Sequence, residues 1–202
     1  MKKVALLAIG AMTLACAATS AHAQKAKDTL RLALDAPIQG ISYYLDPKPE
    51  TVFESEAVFD NLIVFNEKDF KFEPLLAKSW SQPQPTVYEY ELRDDVTFHD
   101  GEKLDADDVV YTIKYLIDPS VKLRYKSNWA WIKSVEKLGQ YKVRITSNTP
   151  VPDGMMWMAY NTSILPQHVH EPLANKADFA ARAIGTGPMK FTRIDKNAGL
   201  IV

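Results

Sequence analysis

The stretch Leu92–Ile113, LRDDVTFHDGEKLDADDVVYTI, sets the reading of the chain around it. Between Asp94 and Val110 it holds six aspartates, a glutamate and a histidine in seventeen positions. Such side chains bind metals and carry acid–base catalysis. Local physical chemistry gives them structural work instead. Val96 and Phe98 continue a strand that begins near Tyr88, and His99-Asp100-Gly101 forms a turn in which glycine accepts positive φ. Asp105 stands where an N-cap belongs, and Asp108 three residues later completes an acidic capping box. Asp107 and Asp108 fall in the first helical turn, where the helix dipole favours negative charge by roughly 0.3–1 kcal/mol each. Val109, Ile113 and Leu116 then repeat at helical spacing until Asp118-Pro119 stops the helix. The competing reading is a metal site, with His99, Asp100 and Asp107 at the centre of an exported metal-dependent hydrolase. It needs these groups to converge on one point. The spacing of a calcium loop, with acids at alternate positions around a glycine and a closing glutamate, is absent.

The amino end places the chain in a compartment. Met1-Lys2-Lys3 is basic, Val4 to Ala18 is apolar, and Ala21-His22-Ala23 presents small residues two apart. These are the three parts of a secretory signal peptide cleaved after Ala23. The apolar run is shorter than the ~20 residues of a spanning helix. A buried N-terminal helix and a lipoprotein acylated at Cys16 are the alternatives, although Thr13 occupies the position where the lipoprotein pattern has leucine. Cys16 is the single cysteine of the 202 residues. Removal of residues 1–23 therefore excludes a disulfide framework, a cysteine nucleophile and a cysteine-ligated zinc. The formal net charge is −1 with both signs interspersed, which argues against nucleic acid as a partner.

Elsewhere, period-two alternation predicts strands at Leu30–Leu34, Tyr88–Leu92 and Tyr141–Ile145. The run Leu62–Phe65 reads as another strand. Thr51 and Glu54 have capping-box spacing, with Phe53, Ala57 and Leu62 near one helical face. Pro83 and Pro85 predict a chain break. Helices and strands are mixed, so the class is α/β or α+β.

Five segments in register carry a family likeness. They are the opening stretch, LDP at Leu45–Pro47, EPLLAKSW at Glu73–Trp80, ILPQHVHE at Ile164–Glu171 and GTGPMKF at Gly185–Phe191. Together they resemble the large extracytoplasmic solute-binding proteins, family 5, which serve peptide and nickel ABC importers. The resemblance implies an α/β, periplasmic binding protein-like fold of two lobes, type II and cluster C-like, closing on a ligand by a hinge. It implies that residues 24–65 begin the first lobe, 66–181 form an inserted α+β subdomain, and 182–202 lead back into that lobe. Family members are much longer than 202 residues. The expectation is thus an N-terminal portion, a fragment or a truncated gene product, with the second lobe and the groups that hold a peptide's amino end beyond it. The partners implied are a peptide or other small solute and the permease subunits of the inner membrane. The full-length protein would be a periplasmic monomer with no cofactor.

No G-x-S-x-G, H-E-x-x-H or P-loop pattern occurs in the chain, and enzyme activity is not expected. The pair His168-x-His170 has a spacing that could touch a metal, but it lies beside Pro166 and Pro172 and reads as solvated surface loop. By resemblance, Ser42 and Tyr43 from the first loop, with Tyr125 and Trp129, supply wall surface for a ligand; in the other reading Trp129 and Trp131 are core. Met155-Met156-Trp157-Met158 is either an adaptable surface or core filling. Gly185, Gly187 and Pro188 shape the return of the chain. Nickel-type members carry a basic residue just before the segment matching Ile164–Pro166, where this chain has Asn161-Thr162-Ser163. Peptide is therefore preferred, with oligosaccharides and other solutes open. A truncated paralogue acting as an interaction module is a further alternative. Cleavage after Ala23 predicts a mature amino terminus at Gln24, which N-terminal sequencing of the exported protein reads directly; an intact Met1 or an acylated Cys16 would refute it.

Overall fold

The computed structural model describes residues 40–42, 44, 49–195 and 200–202. The proposed leader, the strand over 30–34, Tyr43 and the LDP segment lie outside the described residues. Helix α1 (Pro49–Val58) leads to a hairpin of β1 (Ile63–Asn66) and β2 (Lys71–Pro74). Next come β3 (Ala77–Gln84), β4 (Val87–Leu92), α2 (Ala106–Ile117), β5 (Ile132–Gly139) and β6 (Lys142–Ser147). Two short helices follow, α3 (Gly154–Tyr160) and α4 (Gln167–His170), then the strand pair β7 (Ile194–Asp195) and β8 (Leu200–Ile201). Single 3-10 turns lie at Lys126–Trp129 and Lys176–Ala181.

The centre is a four-stranded antiparallel sheet in the order β3-β4-β6-β5, covered on one face by α2. Period-two patterning explains both faces. Tyr88, Tyr90, Leu92, Val143 and Ile145 point inward and are buried, as are Val109, Ile113 and Leu116 of α2. On the other face Glu89 stands opposite Arg144 in register and accepts from it at 2.6 Å, while Lys142 lies 3.0 Å from the same carboxylate. Arg144 also reaches Glu136 on β5 at 3.1 Å. Such exposed pairs fix register more than they stabilise.

Three local expectations are corrected. Helix α1 begins at Pro49, two residues before the predicted cap, because a proline's fixed φ and missing N–H suit the first helical position. Thr51 and Ser55 therefore face inward, and Phe53 is turned out at 49% exposure. Pro83 does not break the chain: β3 is an edge strand, where a missing N–H costs nothing, and the turn comes at 85–86. Strand β4 ends at Leu92, so Val96 and Phe98 do not extend it. Thr97 instead bridges to Lys103 around a turn in which Gly101 has φ 99°.

Helix α2 starts as expected. The Asp105 carboxylate accepts from Asp107 N–H at 2.7 Å, and Asp108 accepts from Asp105 N–H at 3.0 Å. The second oxygen of Asp108 accepts from Gln167 N–H at 2.8 Å, which joins the cap to α4. The segment Gly185–Met189 threads between the end of α1 and the turn at His99. Gly187 and Met189 N–H donate to the carbonyls of Val58 and Ala57, each at 2.9 Å. A Cβ on Gly185 would lie 2.0 Å from the Val58 carbonyl oxygen, and one on Gly187 2.7 Å from that of Ala57. Gly185→Ala is expected to cost about 2–3 kcal/mol, the upper part of the overpacking range. Asp105→Ala should cost about 1 kcal/mol, the loss of a cap. Urea denaturation measures both, and a smaller loss for the glycine variant than for the cap variant would show that the crossing can shift aside.

Candidate functional site

The loop at 40–44 is tied down at both ends. Ile41 N–H donates to Ala180 O at 2.8 Å, and the Tyr44 hydroxyl donates to the Ser163 carbonyl. The Tyr44 ring meets the Trp129 ring edge-on, with centroids 5.4 Å apart. Trp129 is 2% exposed, and its indole N–H donates to Thr162 Oγ1 at 3.3 Å. Thr162 in turn donates to Trp157 O at 3.0 Å. Buried aromatic rings with satisfied polar tips hold such loops firmly. Ser42 is half-buried beside Tyr44, and Tyr125, which precedes the 3-10 turn ending at Trp129, is 47% exposed.

The structure thus brings Ser42 and Trp129 into one neighbourhood through Tyr44. Tyr125 is exposed four residues before Trp129, and Tyr43 lies outside the described residues. Trp129 presents almost no surface. Trp131 is partly buried, edge-on to Tyr88 at 5.7 Å. Of the methionine cluster Met158 is fully buried, while Met155 and Trp157 pack on the core. Asn161-Thr162-Ser163 carries no charge, and Thr162 and Ser163 are buried.

A cavity opens under this loop, lined by Ser42, Tyr44, Tyr115, Ser163, His170 and Phe179 among others. It leaves ≈ 10 Å³, about the room of one water and not of a solute. The sequence reading does not single out Tyr44 and Tyr115, and it places Ser163 and His170 outside the wall. The signal for Tyr44 was its place beside Tyr43; for His170 it was a second histidine within a family segment.

His170 corrects an expectation. It does not lie in solvent: it is 3% exposed, with Tyr115 and Phe179 edge-on at 4.9 and 5.1 Å. Its Nδ1 lies 2.5 Å from the Tyr111 hydroxyl. Burial, with a smaller effect of Lys176, pushes its pKa down to about 4, and burial raises that of Tyr111. His168 is half-exposed and pairs with Asp100 at 2.8 Å. Burial pushes the Asp100 carboxyl up, but the bonds from His168 and the Glu102 amide outweigh it and hold the group below its usual range.

The residues of the hydrolase alternative diverge. Asp100 faces His168, Asp107 faces Lys137 at 2.7 Å, and the His99 ring lies against Gly185 and Gly187. Among the described residues no three His, Cys, Asp or Glu side chains are grouped to hold a metal ion. An open depression of ≈ 400 Å³ lies at the far end of the sheet, between Gln82–Pro85, Tyr88, Pro150–Pro152 and Met155.

A histidine whose folded pKa lies below its unfolded value stabilises above the unfolded pKa, and that contribution is lost as pH falls through the folded one. Stability is therefore expected to drop between about pH 6.5 and about pH 4. His170→Phe should flatten this part of the profile at the cost of the Tyr111 bond, about 1–3 kcal/mol. Urea midpoints measured across this range test the assignment, and an unchanged profile in the variant would refute it.

With this geometry in place, comparison with known proteins gives a consistent result. The family model "Bacterial extracellular solute-binding proteins, family 5 Middle" matches residues 71–202. Oligopeptide-binding protein AppA of Bacillus subtilis is 34% identical over 112 residues, covering 52% of this chain and 20% of that protein. Heme-binding protein A of Haemophilus influenzae is 26% identical over 232 residues, covering 95% of this chain and 41% of that protein. Among solved structures, NikZ from Campylobacter jejuni in complex with Ni(L-His) superposes with a TM-score of 0.73 at 34% identity, over 84% of this chain and 34% of that one. AppA from Bacillus subtilis in complex with a nonapeptide gives 0.71 at 26%, over 77% and 32%. The chain spans between a fifth and two fifths of the length of these proteins. The described residues have the mixed α/β architecture of part of the periplasmic binding protein fold, and the chain belongs to the bacterial extracellular solute-binding proteins, family 5.

Proposed function

We propose that this chain is the first-lobe portion of the periplasmic substrate-binding subunit of an ABC importer. The complete protein captures di- and oligopeptides, closes by a hinge and delivers them to permease subunits in the inner membrane. It binds reversibly and performs no bond chemistry. Export follows cleavage after Ala23, and the full-length protein is a monomer. Residues 66–181 are the inserted subdomain of the first lobe, and 182–202 re-enter that lobe.

The observation that carries this reading is the Tyr44–Trp129 contact. It packs the 40–44 loop against the 125–129 segment and backs both with neutral, satisfied polar groups. The two buried rings offer no surface of their own but hold the half-buried Ser42 and the exposed Tyr125 on firm backbone, and recognition of varied side chains uses such apolar surface with few fixed polar groups. The cavity beneath it has room for a water alone, so a ligand must be enclosed by further residues. The peptide-bound structure of AppA supports peptide as the solute. A metal–amino acid chelate is the second reading, supported by the likeness to NikZ with its Ni(L-His) and opposed by the neutral strip Asn161–Ser163.

The test is titration calorimetry on the full-length protein with peptides of two to nine residues and with Ni(L-His)₂. Peptide binding is expected, with about a tenfold loss of affinity in Tyr125→Ala, equivalent to about 1.4 kcal/mol, and an unchanged melting temperature. Binding of the nickel chelate without peptide would overturn the reading.

A further inference from the structure

His99 lies in the FHDG segment, and both of its ring nitrogens and its backbone N–H and C=O have hydrogen-bond partners. All four of its hydrogen-bond partners lie on the crossing segment 185–190, 86 to 91 residues later. Gly185 N–H points at Nδ1 at 3.3 Å, and the Gly187 carbonyl lies 2.8 Å from Nε2. His99 N–H donates to Gly185 O at 2.9 Å, and Lys190 Nζ donates to His99 O at 2.9 Å. Gly101 N–H closes the turn on Phe98 O.

These partners fix the ring chemistry. An amide N–H only donates, so Nδ1 must carry a lone pair. A carbonyl only accepts, so Nε2 must carry the proton. We propose that His99 is a positioning residue, a latch that holds the crossing segment against α1 and does so in one tautomer, protonated at Nε2. The charged groups around the latch are Asp60, which accepts from Thr186 of the same segment at 2.9 Å, Arg93 and Lys190. Asp100 and His168 pair with each other on the adjacent turn.

The opposite side of the segment explains why a latch is needed. Gly185 and Gly187 lie so close to the Val58 and Ala57 carbonyls that no side chain there can anchor the chain by packing. Two glycines also bring the largest loss of backbone freedom on folding. The imidazole adds a side-chain hold from across the gap to the backbone bonds of Gly187 and Met189 and the Thr186–Asp60 bond on the α1 side.

Two measurements on the full-length protein decide the matter. ¹⁵N-histidine NMR of the wild type at neutral pH should show one stable tautomer for His99, with Nδ1 unprotonated. The other tautomer, or a fast average of both, would overturn the proposal without any variant. Hydrogen exchange read by mass spectrometry should show amides 185–189 exchanging about tenfold faster or more in His99→Ala. His99→Phe, which fills the space without either bond, should be as fast as alanine. His99→Asn, which keeps an acceptor near Gly185, should recover part of the protection. Protection in the phenylalanine variant equal to wild type would reduce His99 to packing and overturn the latch.

Discussion

The Val58 carbonyl oxygen occupies the place where a side chain on residue 185 would be, and much of the structure is arranged around that approach. Two backbones can come this close only where one lacks a Cβ. The result is a three-layer junction: the end of α1, the glycine segment, and the turn at His99. Hydrogen bonds cross the junction in both directions, since Gly187 and Met189 donate to α1 while His99 exchanges bonds with Gly185. Each contributes about 1 kcal/mol net, so the junction adds little to stability compared with the apolar core. Its effect is on position. From this junction the chain runs on to β7 (Ile194–Asp195).

A second tie runs along α2. Its inward face is apolar at Val109, Ile113 and Leu116, but it also buries Asp108 and Thr112. These polar groups read the backbone of the segment before and within α4. Asp108 accepts from Gln167 N–H, and Thr112 Oγ1 accepts from Leu165 N–H at 3.0 Å. Tyr111, one residue away, reaches His170. The segment 161–166 has no regular structure and would otherwise leave buried amides unpaired, at a cost of about 1–3 kcal/mol each. Burial raises the pKa of Asp108 even with two amides donating to it, which marks how fully the helix has taken this carboxylate out of water. The same tie places Ser163 where the Tyr44 hydroxyl finds its carbonyl, so the candidate wall depends on the helix that the acidic stretch begins.

What the sequence discloses follows from the range of the interactions. The cap at Asp105 and Asp108 is legible because its donors lie within three residues, and β4 and β6 are legible because alternation is local. Pro83 misleads because its tolerance depends on β3 being an edge, a property of the sheet and not of the strand. His170 misleads for a stronger reason. Flanking prolines suggest a loop, while its burial comes from Tyr111, Tyr115 and Phe179, brought together by the fold. The wall is half legible. Its aromatic residues stand out, but Tyr44 gains its part through a carbonyl 119 residues away. The family segments carried the fold where local chemistry could not, because GTGP and FHDG meet each other in space.

The acidic stretch that suggested chemistry shows why density of functional side chains differs from a site. A strand, a turn and a helix rotate successive residues through different directions, so neighbours in sequence part company in space. Asp95 takes Arg93, Asp100 takes His168, Asp107 takes Lys137, and Asp105 and Asp108 take backbone amides. The answering groups lie in different places, and only Asp105 and Asp107 share one, Lys137. A catalytic or metal-binding cluster requires the reverse, with several groups held near one point against their mutual repulsion. The likeness between the two in sequence is compositional, and it ends where the backbone direction changes at Gly101.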